Sequence, residues 1–580
     1  MKISKMSKNI NDLIRKYALL NASKFGKAKV ESILGSIISE DPDVKKNIDD
    51  VKKLAKQIVD EINKLSADKI NSELSKYSFE RKVREEHKEL PTLKNPVLRF
   101  APSPSGPLHL GHSYVLGLNH LIAKRNNGKL ILRIEDTNPE NIYDKAYDLI
   151  LEDANWLTNN GVSEVFIQSD RLGYYYDAAE KLVELGKAYV CLCSSDEFRE
   201  YSTKMQDCPD RKISVKENQE RFAKMFSEYK AGQAVLRIKT SMQNPNPAMR
   251  DFPLMRINEH SHPRKGTEFR LWPLMNLAVA VDDHLMGITH ILRGKDHMDN
   301  EKRQMFIFDY LSWKKPETYY VGRINFKDME LSATQTRLAI ERGEYSGWSD
   351  IRLPFLQAFK KRGYKPEALL RYAEEMGINE TDKLVSKEEY FKLLNSFNKD
   401  LIDAKTFRYF FIEEPVKIVV KGAPKQKLEL NLHPDNKKGG RKFQTNEDFY
   451  IERADLDKIK KLKEGSLIRL MDCLNFIKKN VQGSKTSGKG IEGMEFIFDS
   501  KEYEIFKEKG ELTAHWLPVD AKQTKEFVLL KEDGTKMKGK GEALLEKLNP
   551  GTTVQFERKA FVTKQRDEET GEEVFWWWHK

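Results

Sequence analysis

Residues 97–112 constrain this chain more than any other stretch. The apolar run Val97-Leu98-Arg99-Phe100-Ala101 has the length and composition of a buried strand. It is followed by Pro102-Ser103-Pro104-Ser105-Gly106-Pro107-Leu108-His109-Leu110-Gly111-His112, whose prolines and glycines stop the strand and whose end opens a helical pattern over 113–124. The same succession returns further on, with strand-like runs at 130–134 and 164–168 and amphipathic helical patterns at 146–156 and 174–185. Strands alternating with helices of that length predict a parallel sheet covered by helices, with ligands at the carboxyl ends of the strands.

At the first of those ends, a strand, a turn and a helix start would present backbone N–H groups and a positive dipole end to an anion. His109 and His112 share the first helical turn, and Gly111 leaves room beside them for a flat ligand. This points to a Rossmann-type nucleotide site. A bare His-x-Gly-His is more often a pair of surface histidines. Arg99 and the Pro-Ser-Pro-Ser-Gly-Pro approach turn the balance toward the nucleotide.

With 580 residues the chain exceeds one core, and a usual domain size of roughly 100 to 200 residues implies several domains. Residues 1–95 form a helical appendage, with Val51, Leu54, Ile58, Ile62 and Leu65 as a packing stripe and Leu90-Pro91 breaking the pattern. The α/β pattern occupies 96–190 and resumes over 271–335. Between them, 191–270 reads as an insertion with a cysteine cluster and a short basic strand-like run at 234–239. Helical signals dominate 336–400. Over 401–580, short alternating runs such as 415–420, 449–453 and 496–498 predict an all-β region of barrel type.

Lys and Arg total 100 against 89 Asp and Glu, a net charge of +11 that suits a phosphate-rich partner, with nucleic acid leading. Basic clusters stand at Lys437-Lys438 with Arg441-Lys442, at 458–463, and at Lys478-Lys479 with Lys485 and Lys489. Mean hydropathy is −0.65, and no apolar run approaches the roughly 20 residues a bilayer span needs. No signal peptide is visible around Lys2, Lys5 and Lys8, so a cytoplasmic location is expected. Four cysteines cannot build a disulfide framework. Three of them, Cys191, Cys193 and Cys208, cluster as metal ligands or reduced thiols do.

Taken in order, four segments resemble the glutamyl-tRNA synthetases of the archaeal and eukaryotic type, class I enzymes whose architecture is shared with the glutaminyl branch. They are 99–112, which holds the His-Leu-Gly-His signature; Leu132-Arg133-Ile134-Glu135-Asp136-Thr137-Asn138-Pro139; 279–297, ending Arg293-Gly294-Lys295-Asp296-His297; and Gly343-Glu344-Tyr345-Ser346-Gly347-Trp348 running on to Arg352-Leu353-Pro354. Weaker likeness extends through the tail, from Arg408-Tyr409-Phe410-Phe411 to His515-Trp516-Leu517-Pro518.

The resemblance implies an α/β Rossmann-type class I synthetase core, an acceptor-stem-binding insertion, the helical appendage and a β-barrel anticodon-binding tail. For ATP with Mg2+ it implies Pro102, Gly106, His109, Gly111, His112, Leu331 and Ser332, with the two histidines catalytic. Glutamate would be held by Arg99, Ala101, Ser103, Glu135 and Arg293. Phe-Ala-Pro-Ser-Pro after Arg99 resembles the glutamyl branch, whereas glutaminyl enzymes show Pro-Glu-Pro-Asn-Gly there. Cys191, Cys193 and Cys208 resemble a zinc knuckle with Asp210 as the nearest fourth ligand; zinc and a metal-free remnant both stay open.

Two departures stand out. Met275 occupies a pocket position where some relatives carry tyrosine. In the second signature, Met329-Glu330-Leu331-Ser332-Ala333-Thr334-Gln335-Thr336-Arg337, Gln335 replaces a lysine, with Arg337 or Lys327 as substitutes. The implied activity is glutamate–tRNA ligation by a monomer, on tRNA(Glu), with tRNA(Gln) open as a second substrate. The rivals are a glutaminyl-tRNA synthetase and a weakened tRNA-binding paralogue.

Overall fold

Helices α1 (Ile3–Phe25), α2 (Val30–Glu40), α3 (Ile48–Ile62) and α4 (Ala67–Leu74) form the first of two units, Met1–His87 and Lys88–Lys580. The structure, a computed structural model, describes residues 3–41, 44, 47–77, 90–481, 491, 493–567 and 570–580. In α3 the helical spacing of the apolar stripe does what it predicts: Val51, Ile58 and Ile62 are buried against Ile14, Leu19 and Ile33, with Leu54 and Leu65 at the edge. Each fully buried aliphatic side chain of this kind stabilises by about 1.5–3 kcal/mol. Arg15 clamps α1 to α4 through Glu73, at 2.7 Å.

In the second unit, β1 (Val97–Phe100) and β2 (Lys129–Ile134) flank α5 (Leu110–Arg125), while α6 (Ala146–Thr158) leads to β3 (Glu164–Ile167). The three strands pair in parallel, with Arg99 opposite Ile131 and Arg133 opposite Phe166. After α7 (Leu172–Glu184), the strands β4 (Ala188–Cys191), β5 (Val235–Ile238), β6 (Pro253–Ile257) and β7 (Leu271–Pro273) make a separate antiparallel sheet. Helices α8 (Ser195–Thr203) and α9 (Val215–Met225) lie between β4 and β5 in sequence.

The chain then returns through α10 (Met275–Leu285) to β8 (His290–Gly294), α11 (Met298–Tyr310) and β9 (Glu317–Val321), with β8 and β9 parallel. The start of β8 is tied to the start of β1, since the Thr289 amide donates to Val97 O at 3.0 Å and the Val97 amide donates to Thr289 Oγ1 at 2.9 Å. The spatial order is therefore β3, β2, β1, β8, β9. The direction of progression reverses between β1 and β8, which is where an open sheet of this kind leaves a crevice at its carboxyl ends.

Beyond β10 (Ile324–Phe326) come α12 (Ala333–Glu341), α13 (Leu356–Arg362), α14 (Pro366–Met376), β11 (Lys383–Val385) and α15 (Lys387–Ile402). A Cβ added to Gly117 of α5 would lie 3.1 Å from Ala373 Cβ, so these backbones approach as closely as they do because position 117 is glycine. The tail forms two seven-stranded sheets. Its last strand, Glu573–His579, anchors on α13: Arg362 Nη2 donates to Trp578 O at 2.7 Å. Gly363, at φ +98°, permits this, because an added Cβ would fall 1.8 Å from Trp578. Trp576 and Trp578 are buried and Trp577 only half-buried, as strand alternation predicts.

Two basic residues from the sequence clusters are internal. Arg441 is buried on Glu542, at 2.5 Å, and Lys478 is buried with its Nζ donating to the carbonyls of Lys460 and Leu462. They hold the tail together and are not surface cations. Lys485 and Lys489, and the side chains of Lys437 and Lys438, lie outside the described residues. Among the described residues no helix is long and apolar enough to cross a membrane.

Candidate active site

The loop 101–109 carries the chain from the end of β1 to the start of α5. Its far end is fastened from two sides. The Leu110 amide donates to Pro354 O at 3.1 Å and the Leu356 amide to Leu108 O at 2.8 Å. Beneath them, Asp153 of α6 accepts from the Leu108 amide at 2.9 Å and from Gln357 Nε2 at 2.7 Å. Burial pushes the Asp153 carboxyl up to about 8, above the level its two hydrogen bonds would set.

His109 caps α5 and His112 occupies the third helical position. Their rings stack, with centroids 3.7 Å apart and planes 20° from parallel. His109 Nδ1 accepts from the Gly111 amide at 3.1 Å, and His112 Nδ1 accepts from the His109 amide at 3.4 Å. A neutral imidazole that accepts at Nδ1 carries its proton at Nε2. Burial holds His112 down to about 4; burial and then the neighbouring ring hold His109 well below the usual histidine range. Near neutral pH the pair thus presents two Nε2–H donors without formal charge. The sequence predicts open backbone amides at this helix start, but the amides of residues 109, 110 and 111 are already engaged, so the donors offered to an anion are the imidazoles.

Gly111 is needed for the stack, because an added Cβ would lie 3.0 Å from His109 Cε1 and 3.4 Å from Leu331 Cδ1. The second contact brings the two signature segments together. Gly106 does the same, with an added Cβ 2.9 Å from Ala333 Cβ and 3.0 Å from Trp348. Ser332 caps α12, its Oγ accepting from the Gln335 amide at 3.3 Å. The Gln335 side chain is exposed, as is Lys327, while Arg337 is half-buried over the Tyr143 ring at 5.7 Å.

Beside the histidines the carboxyl ends of β1, β2 and β8 contribute Arg99, Arg133 and Arg293, each buried. Their acids come largely from α10. Asp283 Oδ1 accepts from Arg133 Nη1 at 2.7 Å and from Arg99 Nε at 3.3 Å. Glu135 Oε1 accepts from Arg133 Nη2 at 3.0 Å. Asp282 accepts from Arg171 Nε at 2.8 Å and from the Tyr175 hydroxyl at 2.7 Å. Burial works against both ions of the central pair, yet Asp283 keeps its carboxylate below the usual range because Arg99 and Arg133 outweigh it.

Arg293 is held differently. Its Nη1 donates to Gln304 Oε1 at 3.0 Å, and Gln304 Nε2 donates to Asn276 Oδ1 at 3.3 Å, a neutral amide relay. Burial, followed by repulsion from Arg99, brings Arg293 down to about 10. Arg99 Nη2 and Arg293 Nε are buried with no hydrogen-bond partner. Unpaired buried donors cost about 1–3 kcal/mol or more each, and a carboxylate entering between them would relieve that cost.

Of the other expected contacts, Ala101 is half-buried, Pro102 is buried with its carbonyl accepting from the Glu135 amide at 3.0 Å, and Ser103 is exposed at the loop surface. Met275 is the first, half-buried residue of α10. Sequence reading passed over Asp283 and Gln304 as site residues. Two adjacent aspartates in the apolar run of α10 were a usable signal for the first; Gln304 in a mixed helix gave none.

At the end of β4, the sulfurs of Cys191 and Cys193 lie 3.6 and 3.3 Å from Cys208 Sγ, and Asp210 Oδ2 lies 3.8 Å from Cys193 Sγ. All four donor atoms fall within 4.8 Å of one another. Asp210 is steadied by Arg221 at 2.7 Å and by the Leu192 amide at 2.8 Å. The hydrogen bond from Cys208 draws Cys191 toward its thiolate, against the effect of burial.

Comparison with known proteins follows the same division of the chain. Residues 97–403 match the tRNA synthetases class I (E and Q) catalytic domain, and residues 406–498 match the anti-codon binding domain of the same group. A glutamate–tRNA ligase from Methanothermobacter thermautotrophicus is 39% identical over 98% of this chain and 100% of its own. Those from Methanopyrus kandleri and Methanocaldococcus jannaschii are 38% and 37% identical, over 96% of this chain and 96% and 97% of theirs. With a stacked histidine pair at the strand crossover, buried arginines beside it that keep single unpartnered nitrogens, and these matches along nearly its whole length, the chain belongs to the class I tRNA synthetases of the E and Q family.

Proposed function

We propose that the protein is a glutamate–tRNA ligase, forming glutamyl-adenylate from glutamate and ATP and passing the glutamyl group to the 3′ end of tRNA(Glu). The observation that carries this reading is the pair of unpartnered guanidinium nitrogens, Arg99 Nη2 and Arg293 Nε, buried at the same strand ends as the His109–His112 stack. Forked cationic donors suit a dicarboxylic amino acid, and a neutral side-chain amide would leave one of them unanswered. Glu135 would receive the substrate ammonium, with the backbone of Ala101 and the hydroxyl of Ser103 completing the contacts.

The strand order supports a Rossmann-type core, and Pro102, Gly106, Gly111, Leu331 and Ser332 would line the nucleotide. Attack of the glutamate α-carboxylate on the α-phosphorus forms the acyl-phosphate bond, breaks the link between the α- and β-phosphates and releases pyrophosphate, moving negative charge onto phosphate oxygens. The two Nε2–H groups, fixed beforehand by their Nδ1 hydrogen bonds, would stabilise that charge without reorganising. Mg2+ travelling on the nucleotide's own oxygens neutralises phosphate charge when bound. A terminal ribose hydroxyl of tRNA then attacks the carbonyl carbon of the mixed anhydride, forming the glutamyl ester as the carbonyl–phosphate bond breaks and AMP leaves with the hydroxyl proton lost to solvent. The insertion (191–270) would hold the acceptor end and the tail (401–580) the anticodon. In the first seven-stranded sheet the end strands, Arg408–Tyr409 and Phe411–Glu413, are separated by one residue, which supports closure into a barrel.

The cysteine cluster fits zinc. With Zn–S near 2.3 Å, a tetrahedral site sets sulfurs about 3.8 Å apart, close to the separations found, and Asp210 supplies the fourth donor. Cys191, Cys193, Cys208 and Asp210 would hold the ion, whose contribution there is structural. Protein purified without chelator should carry about one zinc per chain by elemental analysis, and its absence would exclude the site.

The deciding experiment is charging of tRNA(Glu) and tRNA(Gln) transcripts with labelled glutamate or glutamine. Glutamate should be esterified and glutamine should not; comparable charging with glutamine would overturn the assignment, and no charging at all would favour a tRNA-binding paralogue.

A further inference from the structure

Asp153 is an acid enclosed in an apolar face. It lies on the inward side of α6 among Ile150, Ala154 and Leu157, and like them it is 0% exposed. A carboxyl group shut away from water is costly unless hydrogen bonds compensate it, and Asp153 has one on each oxygen. Oδ2 accepts from the Leu108 amide at 2.9 Å and Oδ1 from Gln357 Nε2 at 2.7 Å. The two donors stand on opposite sides of one junction, where His109 and Phe355 form an antiparallel bridge and Gln357 follows on α13. Asp153 clasps both sides from a third element. At the surface the pair Lys360–Glu152 joins the same two helices, α13 and α6.

Around the histidines the other backbone groups are met from within the junction. Leu108 O accepts from the Leu356 amide at 2.8 Å, and the Leu110 amide donates to Pro354 O at 3.1 Å. His109 O accepts from the Ser113 amide at 3.1 Å and Leu110 O from Ser113 Oγ at 2.7 Å. The amides of His109 and Gly111 donate to the histidine rings. Of the amides of residues 108–111, that of Leu108 alone is met by a side chain from another element. Leu108 directly precedes His109, whose ring stands edge-on to Phe355 at 6.1 Å and stacks on His112. Withdrawing the acceptor at 153 leaves a buried donor unpaired beside the stack. The glutamate half of the site is fastened by other groups, Asp283 under Arg99 and Arg133 and Gln304 under Arg293.

We propose that Asp153 is a positioning residue for the activation step: with Gln357 as its second partner it fixes the backbone at Leu108 and, through it, the two Nε2–H groups of His109 and His112. Asp153 acts through the histidines and not on substrate. The role rests on the reading of those histidines as the phosphate-handling groups of a ligase. An asparagine can keep the clasp, its oxygen accepting from Leu108 and its amide donating to Gln357 once the Gln357 amide turns to present Oε1. Leucine, of similar volume, offers neither bond.

The test uses full-length protein as wild type, Asp153→Leu, Asp153→Asn and Gln357→Leu, with melting curves to confirm folding. ATP–pyrophosphate exchange with tRNA(Glu) transcript present is measured against glutamate concentration, and amide hydrogen exchange over 104–114 is read by mass spectrometry. Asp153→Leu should lower kcat about 10- to 100-fold while glutamate KM stays within about twofold. Gln357→Leu, which frees one carboxyl oxygen, should lower kcat about fivefold with the same unchanged KM, and it decides the matter alone if Asp153→Leu does not fold. Asp153→Asn should keep kcat within about threefold of wild type. Amide exchange over 104–114 should quicken in the leucine variants and not in the asparagine variant. Wild-type kcat in the folded leucine variants, an asparagine variant as impaired as Asp153→Leu, or kcat and glutamate KM shifting together would each overturn the role. Glutamate charging by the wild type tests the ligase reading separately. Were that to fail, unchanged amide exchange in the leucine variants would still overturn the clasp by itself.

Discussion

Arg293 shows how a single neutral partner shapes a charged site. Arg133 spends its charge on Asp283 and Glu135, whereas Arg293 hydrogen-bonds to an amide and keeps its charge available for a ligand. Gln304→Glu would place a carboxylate at the same distance and neutralise Arg293 from within. Glutamate KM should rise at least tenfold with a smaller change in kcat, and discrimination against glutamine should narrow; steady-state charging with both amino acids reads both effects. In the proposed reaction the histidines act through position and not through formal charge. His112→Ala removes one Nε2–H donor and lets the His109 ring move, so kcat should fall about 10²–10³-fold, the cost of one preorganised donor. Near-normal turnover in single-turnover charging would remove the histidines from the chemistry.

At the scale of elements, the signature loop and α12 are fitted to each other through two glycines, Gly106 against Ala333 and Gly111 against Leu331. The second signature is thereby set beside His109 and His112 even though Gln335 lacks the lysine charge. Its exposed side chain on the first turn of α12 leaves room for a longer cation. Gln335→Lys should therefore fold as the wild type does and raise the activation rate, by up to about the 10²-fold that a phosphate clamp contributes elsewhere. ATP–pyrophosphate exchange in the presence of tRNA measures this, and an unchanged rate would show that Arg337 or Lys327 already fills the role. The strand and helix order around this site was legible from periodicity and turn residues, because those patterns are local. The engagement of the α5 amides by His109 and His112 was not, since it depends on rotamers that the helix start imposes.

For the molecule as a whole, buried histidines in the tail tie stability to pH. Burial, then the cations Arg558, Lys559 and Arg441, hold His515 down to about 3, and burial holds His579 down to about 4. Both titrate in the folded state below the unfolded value of about 6.5, so the unfolded chain binds the proton first. Their contribution is fully present above pH 6.5, and stability falls as pH drops toward 4, by up to about 1.4 kcal/mol per pH unit for each histidine. Denaturant midpoints at pH 7 and pH 5 should differ accordingly, and His515→Gln should lose one histidine's share of that slope. A midpoint independent of pH over this range would show that the tail solvates these rings.

The sequence by itself determined the alternation of strand and helix, the placing of His109 and His112 at a helix start, and the clustering of three cysteines, since each rests on spacing along a few residues. The tertiary structure decided which charges are spent and which are left for a ligand. Arg99 and Arg133 meet Asp283 across 184 and 150 residues of chain. Arg441 and Lys478, surface cations by their sequence context, are interior struts. Burial and long-range pairing set the free energy of a charge, and neither leaves a local pattern to read.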